Sequence, residues 1–247
     1  MSDAAPADSR QLDPRGAYVS VMRWNRNLLR RVGLLPRLDR WASDSRMGTW
    51  VRSLLAVYDL DDLRQLDVPW WTLDSSEKVE AFLRARPGAR VFEWGSGSST
   101  FWLSRRAATV ISVEHDPAWA AQMVAAAPSN AHITLVAPTR LSGPGAVTSL
   151  KSGFEDLDFR EYVAQIDRVD GEFDVIVIDG RAREACLERA VPRLAAGGII
   201  VFDNVDRQRY RQAIDSFGDR LQTLTTRGLT PCLPYPTRTA LIRDRRP

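Results

Sequence analysis

Lysine is almost missing from this chain. Lys78 and Lys151 are the only two among 34 basic residues, so arginine carries nearly all the positive charge. With a net charge of only +3, this reads first as genome composition and only second as a nucleic-acid footprint. Cysteine and histidine are equally scarce. Cys186 and Cys232 lie far apart, form no CxxC pair and have only His115 and His132 for company. That excludes a disulfide framework and a zinc centre of the usual spacing. It also argues against a dedicated histidine base. No apolar run approaches the length of a membrane span, and "MSDAAPADSR" is too polar and acidic for a secretory signal. The expected compartment is the cytoplasm.

What is present describes a globular chain: 247 residues, 44% hydrophobic and 26% charged, enough for one large domain or a domain with an appendage. Residues 1–16 are small, polar and proline-containing, and are expected to be disordered. Residues 17–87 read as a helical extension and residues 88–247 as the main domain.

In the extension, "YVSVMRWNRNLLRRVGLL" interleaves apolar residues with arginines, and "SRMGTWVRSLLAVYDL" behaves similarly. Ten arginines stand against three aspartates between Arg10 and Arg52. Two readings stay open. The helices pack an apolar face on the main domain and solvate their arginines, or they form a basic amphipathic surface for anionic lipid. They are expected to cover the acceptor side of the main domain or to mediate a homodimer. Trp70 and Trp71 read as core, with a lid as the second reading. Asp74 with Glu77 predicts a capped helix running to about Arg86.

After Gly88 the pattern alternates. "ARVFEW", "TVISVEH", "HITLVA", "FDVIVID" and "GGIIVFD" read as strands separated by helices, and "RLQTLTT" and "RTALIRD" as closing strands. Val/Ile runs such as "VIVI" and "IIVF" suit strands buried on both faces. The expected fold is α/β: a Rossmann-like, open, mostly parallel seven-stranded sheet with helices on both faces.

Ligands of such sheets bind beyond the carboxyl ends of the strands. The turn "EWGSGSS" lies at the end of the first strand, where Gly95 and Gly97 allow close backbone approach. Glu114 ends the next strand 19 residues after Gly95, a spacing that suits a carboxylate gripping ribose hydroxyls. Both NAD and S-adenosylmethionine fit so far. Thr100 stands where a dinucleotide fingerprint has its third glycine. Glu93 would oppose a pyrophosphate but complements a sulfonium and an ammonium. An NAD-dependent oxidoreductase is therefore the disfavoured reading. A non-catalytic cofactor-binding or membrane-associated scaffold is the remaining alternative to an enzyme.

Over roughly residues 88–245 the chain resembles the class I S-adenosylmethionine-dependent methyltransferases, through "FEWGSGSS", "VISVEHD", "FDVIVIDG" and "LAAGGIIVFDN". The resemblance implies that Glu93, Gly95, Ser96 and Gly97 surround the methionine part of the cofactor. It implies that Glu114 holds the ribose and that His115 lies near the adenine. An acidic residue after the third strand often binds the adenine amine in that family; here "LVAPT" has none.

Asp179 ends "VIVID", and Asp203 and Asn204 end "IIVFDN", on strands that the fold makes neighbours. Three oxygen donors at one edge suit Mg²⁺, and the set resembles that of metal-dependent catechol and caffeoyl-CoA O-methyltransferases. Asp179 and Asp203 are thus the candidate catalytic residues, and Asp179, Asp203 and Asn204 the candidate metal ligands. Turn chemistry is the alternative for all three. A lysine common in those families is replaced here by "GRAR", and arginine cannot serve as a base. "IDGR" also lacks the proline-aromatic signature of base-amine methyltransferases, which argues against nucleic acid. The expected activity is O-methylation of a small hydroxylated acceptor: a sugar, polyketide or phenol. The segment from Pro138 to Phe159 is expected to line the acceptor pocket.

Overall fold

The computed structural model describes residues 14–57 and 59–245. Five helices come first: α1 (Pro14–Arg31), α2 (Leu35–Asp44), α3 (Arg46–Leu54), α4 (Leu60–Leu66) and α5 (Leu73–Arg84). The main domain follows as β1 (Arg90–Trp94), α6 (Ser98–Ser104), β2 (Thr109–Glu114), α7 (Pro117–Ala126), β3 (Ala131–Leu135) and a short ribbon of β4 (Thr139–Arg140) and β5 (Leu157–Asp158). It continues with α8 (Arg160–Val163), β6 (Phe173–Ile178), α9 (Arg183–Ala190), β7 (Leu194–Asp203), α10 (Gln208–Asp215), β8 (Leu221–Gly228) and β9 (Thr237–Asp244).

Seven strands form one sheet in the order β3-β2-β1-β6-β7-β9-β8. The first five are parallel, and β9 runs antiparallel between β7 and β8. The Val/Ile runs form its centre: Val175 to Ile178 and Ile200 to Phe202 are fully buried. Their side chains alternate between two apolar layers. Ile176 and Phe202 belong to one, Val175 and Val201 to the other. The chain leaves β1 toward β2 and returns on its other side through β6. The carboxyl ends of β1, β2, β6 and β7 therefore open onto a switch point, where ligands of such sheets bind.

Two expectations need correction. The segment read as a disordered tail, 1–16, overlaps α1, which starts at Pro14, a residue whose fixed φ suits a first helical turn; residues 1–13 lie outside the described residues. α5 is capped by Thr72 rather than Asp74, and it ends at Arg84, before the proline-glycine turn. The Thr72 hydroxyl accepts from Ser75 and joins Thr226 on β8, a tertiary partner invisible in the local pattern. Asp74 instead pairs with Arg46.

The extension has a charged interior. Buried Arg52 reaches Asp39 at 2.6 Å and Asp62 at 3.0 Å, while Arg26 reaches Asp59 at 2.5 Å and also Asp62. These pairs join all four leading helices, so removing one partner would leave an uncompensated buried charge. The extension is tied to the β8–β9 connection. Trp50 Nε1 donates to the Leu233 carbonyl at 2.9 Å, and the Cys232 amide donates to Ser53 Oγ at 2.9 Å.

Candidate active site

The turn after β1 is shaped by close backbone contact. Gly95 has φ +95°, and a Cβ there would lie 2.8 Å from the backbone of Gly180 after β6. A Cβ at Gly97 would meet nothing within 4 Å. Gly97 instead borders an open cleft lined by Gly95, Ser96, Glu114, His115, Trp119 and Arg181, among others. The cleft has a volume of about 380 Å³.

Glu93 is not one of the cleft's walls. It is fully buried beneath the turn, where Thr100 Oγ1 donates at 2.6 Å, Ser112 Oγ at 2.7 Å, and Ser99 Oγ as well. This corrects the expectation that its carboxylate surrounds the cofactor directly: it braces the turn from below. Thr100 also accepts from the Gly97 amide at 2.9 Å, which explains a threonine in place of a third glycine. Burial pushes the Glu93 carboxyl up to about 7, against the three hydroxyls that favour its charged form. The sign for stability follows. The folded protein holds a proton here that the unfolded chain has lost above its ordinary value of 4.5. The contribution is complete below pH 4.5 and disappears as pH rises through about 7. The melting temperature should fall across that window, and Glu93→Gln should flatten the fall by about 3 kcal/mol of pH dependence. Thermal melts from pH 4.5 to 8 test this; an unaltered slope in the variant would assign the titration elsewhere.

Glu114 does face the cleft. Ser96 donates to it through its amide at 3.1 Å and its hydroxyl at 2.9 Å, and the His115 and Asp116 amides donate at 2.7 and 2.9 Å. Burial pushes this carboxyl up, but the hydrogen bonds and neighbouring His115 outweigh it and hold Glu114 below its ordinary range. Trp119 Nε1 donates to the Ser96 carbonyl at 2.8 Å and locks the far side of the turn. His115 packs against Phe154, with ring centroids 5.6 Å apart.

A smaller cavity of about 160 Å³ adjoins this cleft. Its walls include Val57, Trp70, Asp179, Asp203, Asn204 and Cys232. Asp179 and Trp70 border both spaces. The tryptophan pair therefore divides: Trp71 is core, packed edge-on against Trp102, and Trp70 is a cavity wall. The segment from Pro138 to Phe159 was expected at the acceptor pocket. Its Phe154 lines the larger cleft instead, stacked under Arg181 at 4.8 Å. The smaller cavity takes its remaining walls from the extension and from Pro231 to Leu233.

The expected acids converge, with an organiser that was not assigned from sequence. Arg183 is buried between the two strand ends. It donates to Asp179 Oδ1 at 2.7 Å, to the Asp179 and Asp203 carbonyls at 2.7 Å each, and to the Gly180 carbonyl at 3.1 Å. Asp203 accepts from Thr239 Oγ1 at 2.6 Å and from Asn204 Nδ2 at 2.5 Å. Burial, with the Asp179 charge next, pushes Asp203 up to about 7; burial also raises Asp179, against Arg183 and Arg181. Asn204 and Cys232, both on the cavity wall, have φ of 59° and 65°. Left-handed backbone at non-glycine residues is uncommon and gathers at functional sites.

The comparisons with known proteins bear on this geometry. Residues 92–205 match the family model described as a methyltransferase domain. Over that span the chain carries a methyltransferase domain. Oxidoreductase and non-catalytic scaffold readings give way to that match. A Bacillus cereus O-methyltransferase solved with S-adenosylhomocysteine shares the fold, with 15% identity and a TM-score of 0.54 over 81% of this chain and 100% of that one. A putative O-methyltransferase from Klebsiella pneumoniae shares 18% identity, with a TM-score of 0.52 over 78% of this chain and 90% of that one. At such identities the likeness is one of fold. No curated protein sequence matches this chain.

Proposed function

We propose that this methyltransferase moves the methyl group of S-adenosylmethionine to a hydroxyl of a small acceptor. In this reading the larger cleft takes the cofactor and the smaller cavity takes the acceptor. The observation that carries it is the shared wall at Asp179 and Trp70, which puts a carboxylate at the junction where a methyl group would pass. Gly95, Ser96 and Gly97 would bed the methionine part, Glu114 the ribose, and His115 with Phe154 would offer flat faces to the adenine. Residues 88–247 would form the catalytic domain and residues 17–87 the cover of the acceptor side. Both cysteines are free thiols, in keeping with a cytoplasmic setting.

Methyl transfer is an in-line displacement at a carbon already activated by the sulfonium. The protein must align the acceptor, exclude water and free an oxygen lone pair. Trp70 and Val57 would exclude water, and Arg183 fixes the two strand ends that carry the acids. A hard cation suits the donor set. Two carboxylates meet here, with Arg183 and, on the Asp179 side, Arg181 as counter-charges. Asp179 Oδ2 and Asn204 Oδ1 accept no hydrogen bond from the described residues. Among those residues no three His, Cys, Asp or Glu side chains cluster, so the third donor is the Asn204 amide. Mg²⁺ held by Asp179, Asp203 and Asn204 would lower the pKa of a hydroxyl beside it.

Transfer of tritiated methyl groups to a panel of sugars, polyketides and phenols, with and without Mg²⁺, tests the reading. Calorimetry that detects no S-adenosylhomocysteine binding near millimolar concentration would sink it. Glu114→Ala should weaken that binding by about 1.5–3 kcal/mol, through the lost charged hydrogen bonds. An unchanged affinity would remove Glu114 from the cofactor site.

A further inference from the structure

The helix α1 has two apolar sides. Tyr18 and Val19 pack against the small core formed by Ala56, Val57, Leu63 and Cys232. A second side carries Val21, Trp24 and Leu28, spaced three and four residues apart and so stacked along one helix face. Val32 extends this stripe just past the helix end. These residues are 52%, 64%, 43% and 56% exposed. An uncovered tryptophan within a continuous apolar stripe marks an interaction surface rather than scattered surface apolarity.

Charge identifies the partner. Arg30 and Arg31 in the last turn of α1, and Arg37 and Arg40 on α2, are exposed. They form no ion pair with any described residue. Of the nearby acids, Asp39 is held by Arg52 and Asp59 and Asp62 by Arg26, which leaves Asp44 at the end of α2 to offset one of these four charges. We propose that this end of the extension docks on the surface of an anionic lipid bilayer, with Trp24 and Leu28 at the headgroup boundary and the exposed arginines around the stripe on the phosphates. A second copy of the chain would bring the same uncompensated arginines together, whereas anionic headgroups neutralise them. The contact is peripheral, because no described helix is long and apolar enough to cross a membrane. The inference concerns binding alone and stands apart from the chemistry of the strand ends.

The test sediments the full chain with vesicles of phosphatidylcholine alone or with about 30% phosphatidylglycerol, at about 0.05 M and 0.5 M salt. Binding is expected only to the anionic vesicles and at least about ten-fold weaker in high salt. Leu28→Glu, and Arg30→Glu with Arg31→Glu, should each weaken it at least about ten-fold. Melting temperature and S-adenosylhomocysteine affinity should stay at parental values, because these side chains are exposed. Equal binding to both vesicle types, no binding to either, or parental binding by both variants would overturn the proposal. So would a dimer in analytical ultracentrifugation that Leu28→Glu converts to monomer while vesicle binding is absent.

Discussion

Replacing Asp203 by asparagine is expected to cut turnover at least about a thousand-fold while leaving S-adenosylhomocysteine affinity within about two-fold. The asparagine keeps the shape of the carboxylate and an oxygen for the Thr239 hydroxyl, and a flip of the Asn204 carboxamide lets its oxygen accept from the new amide. Arg183 holds the residue 203 carbonyl, which the substitution does not touch. The structural cost should therefore be small and the loss chemical. On the proposed reading, cofactor binding rests on the turn after β1 and on Glu114, which are other strand ends. Activity should fall to background in EDTA and return with Mg²⁺ or Mn²⁺, and Mn²⁺ binding seen by electron paramagnetic resonance should vanish in the variant. A protein indifferent to EDTA, whose variant loses stability and activity together, would reduce Asp179, Asp203 and Asn204 to turn chemistry.

Gly95→Ala should be among the most damaging glycine-to-alanine changes in the chain. The alanine would occupy a φ of +95°, where an L-residue is strained, and its Cβ would press on the Gly180 backbone at 2.8 Å. Backbone on both sides leaves no flexible side chain to yield. The expected destabilisation is about 3–5 kcal/mol, or roughly 6–20 °C in melting temperature for a chain of this size. Calorimetry should also find cofactor binding lost, because the turn could no longer lie against β6. A melting temperature within about a degree of the parent would show that the turn relaxes freely.

The strand ends were legible in the sequence because a parallel sheet makes them so. A buried strand is a short apolar run, and the polar residue that interrupts it stands at the edge where ligands bind. Glu114, Asp179 and Asp203 were readable on that ground alone. The side chains that organise the site were not. Arg183 looked like one more arginine in "GRAR", since its insertion depends on carbonyls from two strands brought together only by folding. Glu93 was singled out but placed on the wrong side of the turn. Its direction is set by Ser99, Thr100 and Ser112, whose hydroxyls have no periodicity to follow. Thr72 displaced Asp74 as a helix cap for the same reason, through a partner on β8.

The walls of the two cavities have different origins along the chain. Apart from Trp70, every residue lining the larger cleft falls within 92–205, the span that matches the methyltransferase family model. The smaller cavity borrows Val57, Trp70, Pro231, Cys232 and Leu233 from outside it. If the smaller cavity takes the acceptor, as proposed, selection on it can act on the extension and one hairpin loop and leave the proposed methyl-donor cleft unchanged. Lineages with the same central domain are free to diverge in what they modify, and exchanging those two flanking segments between them is the natural route to transplanting a specificity.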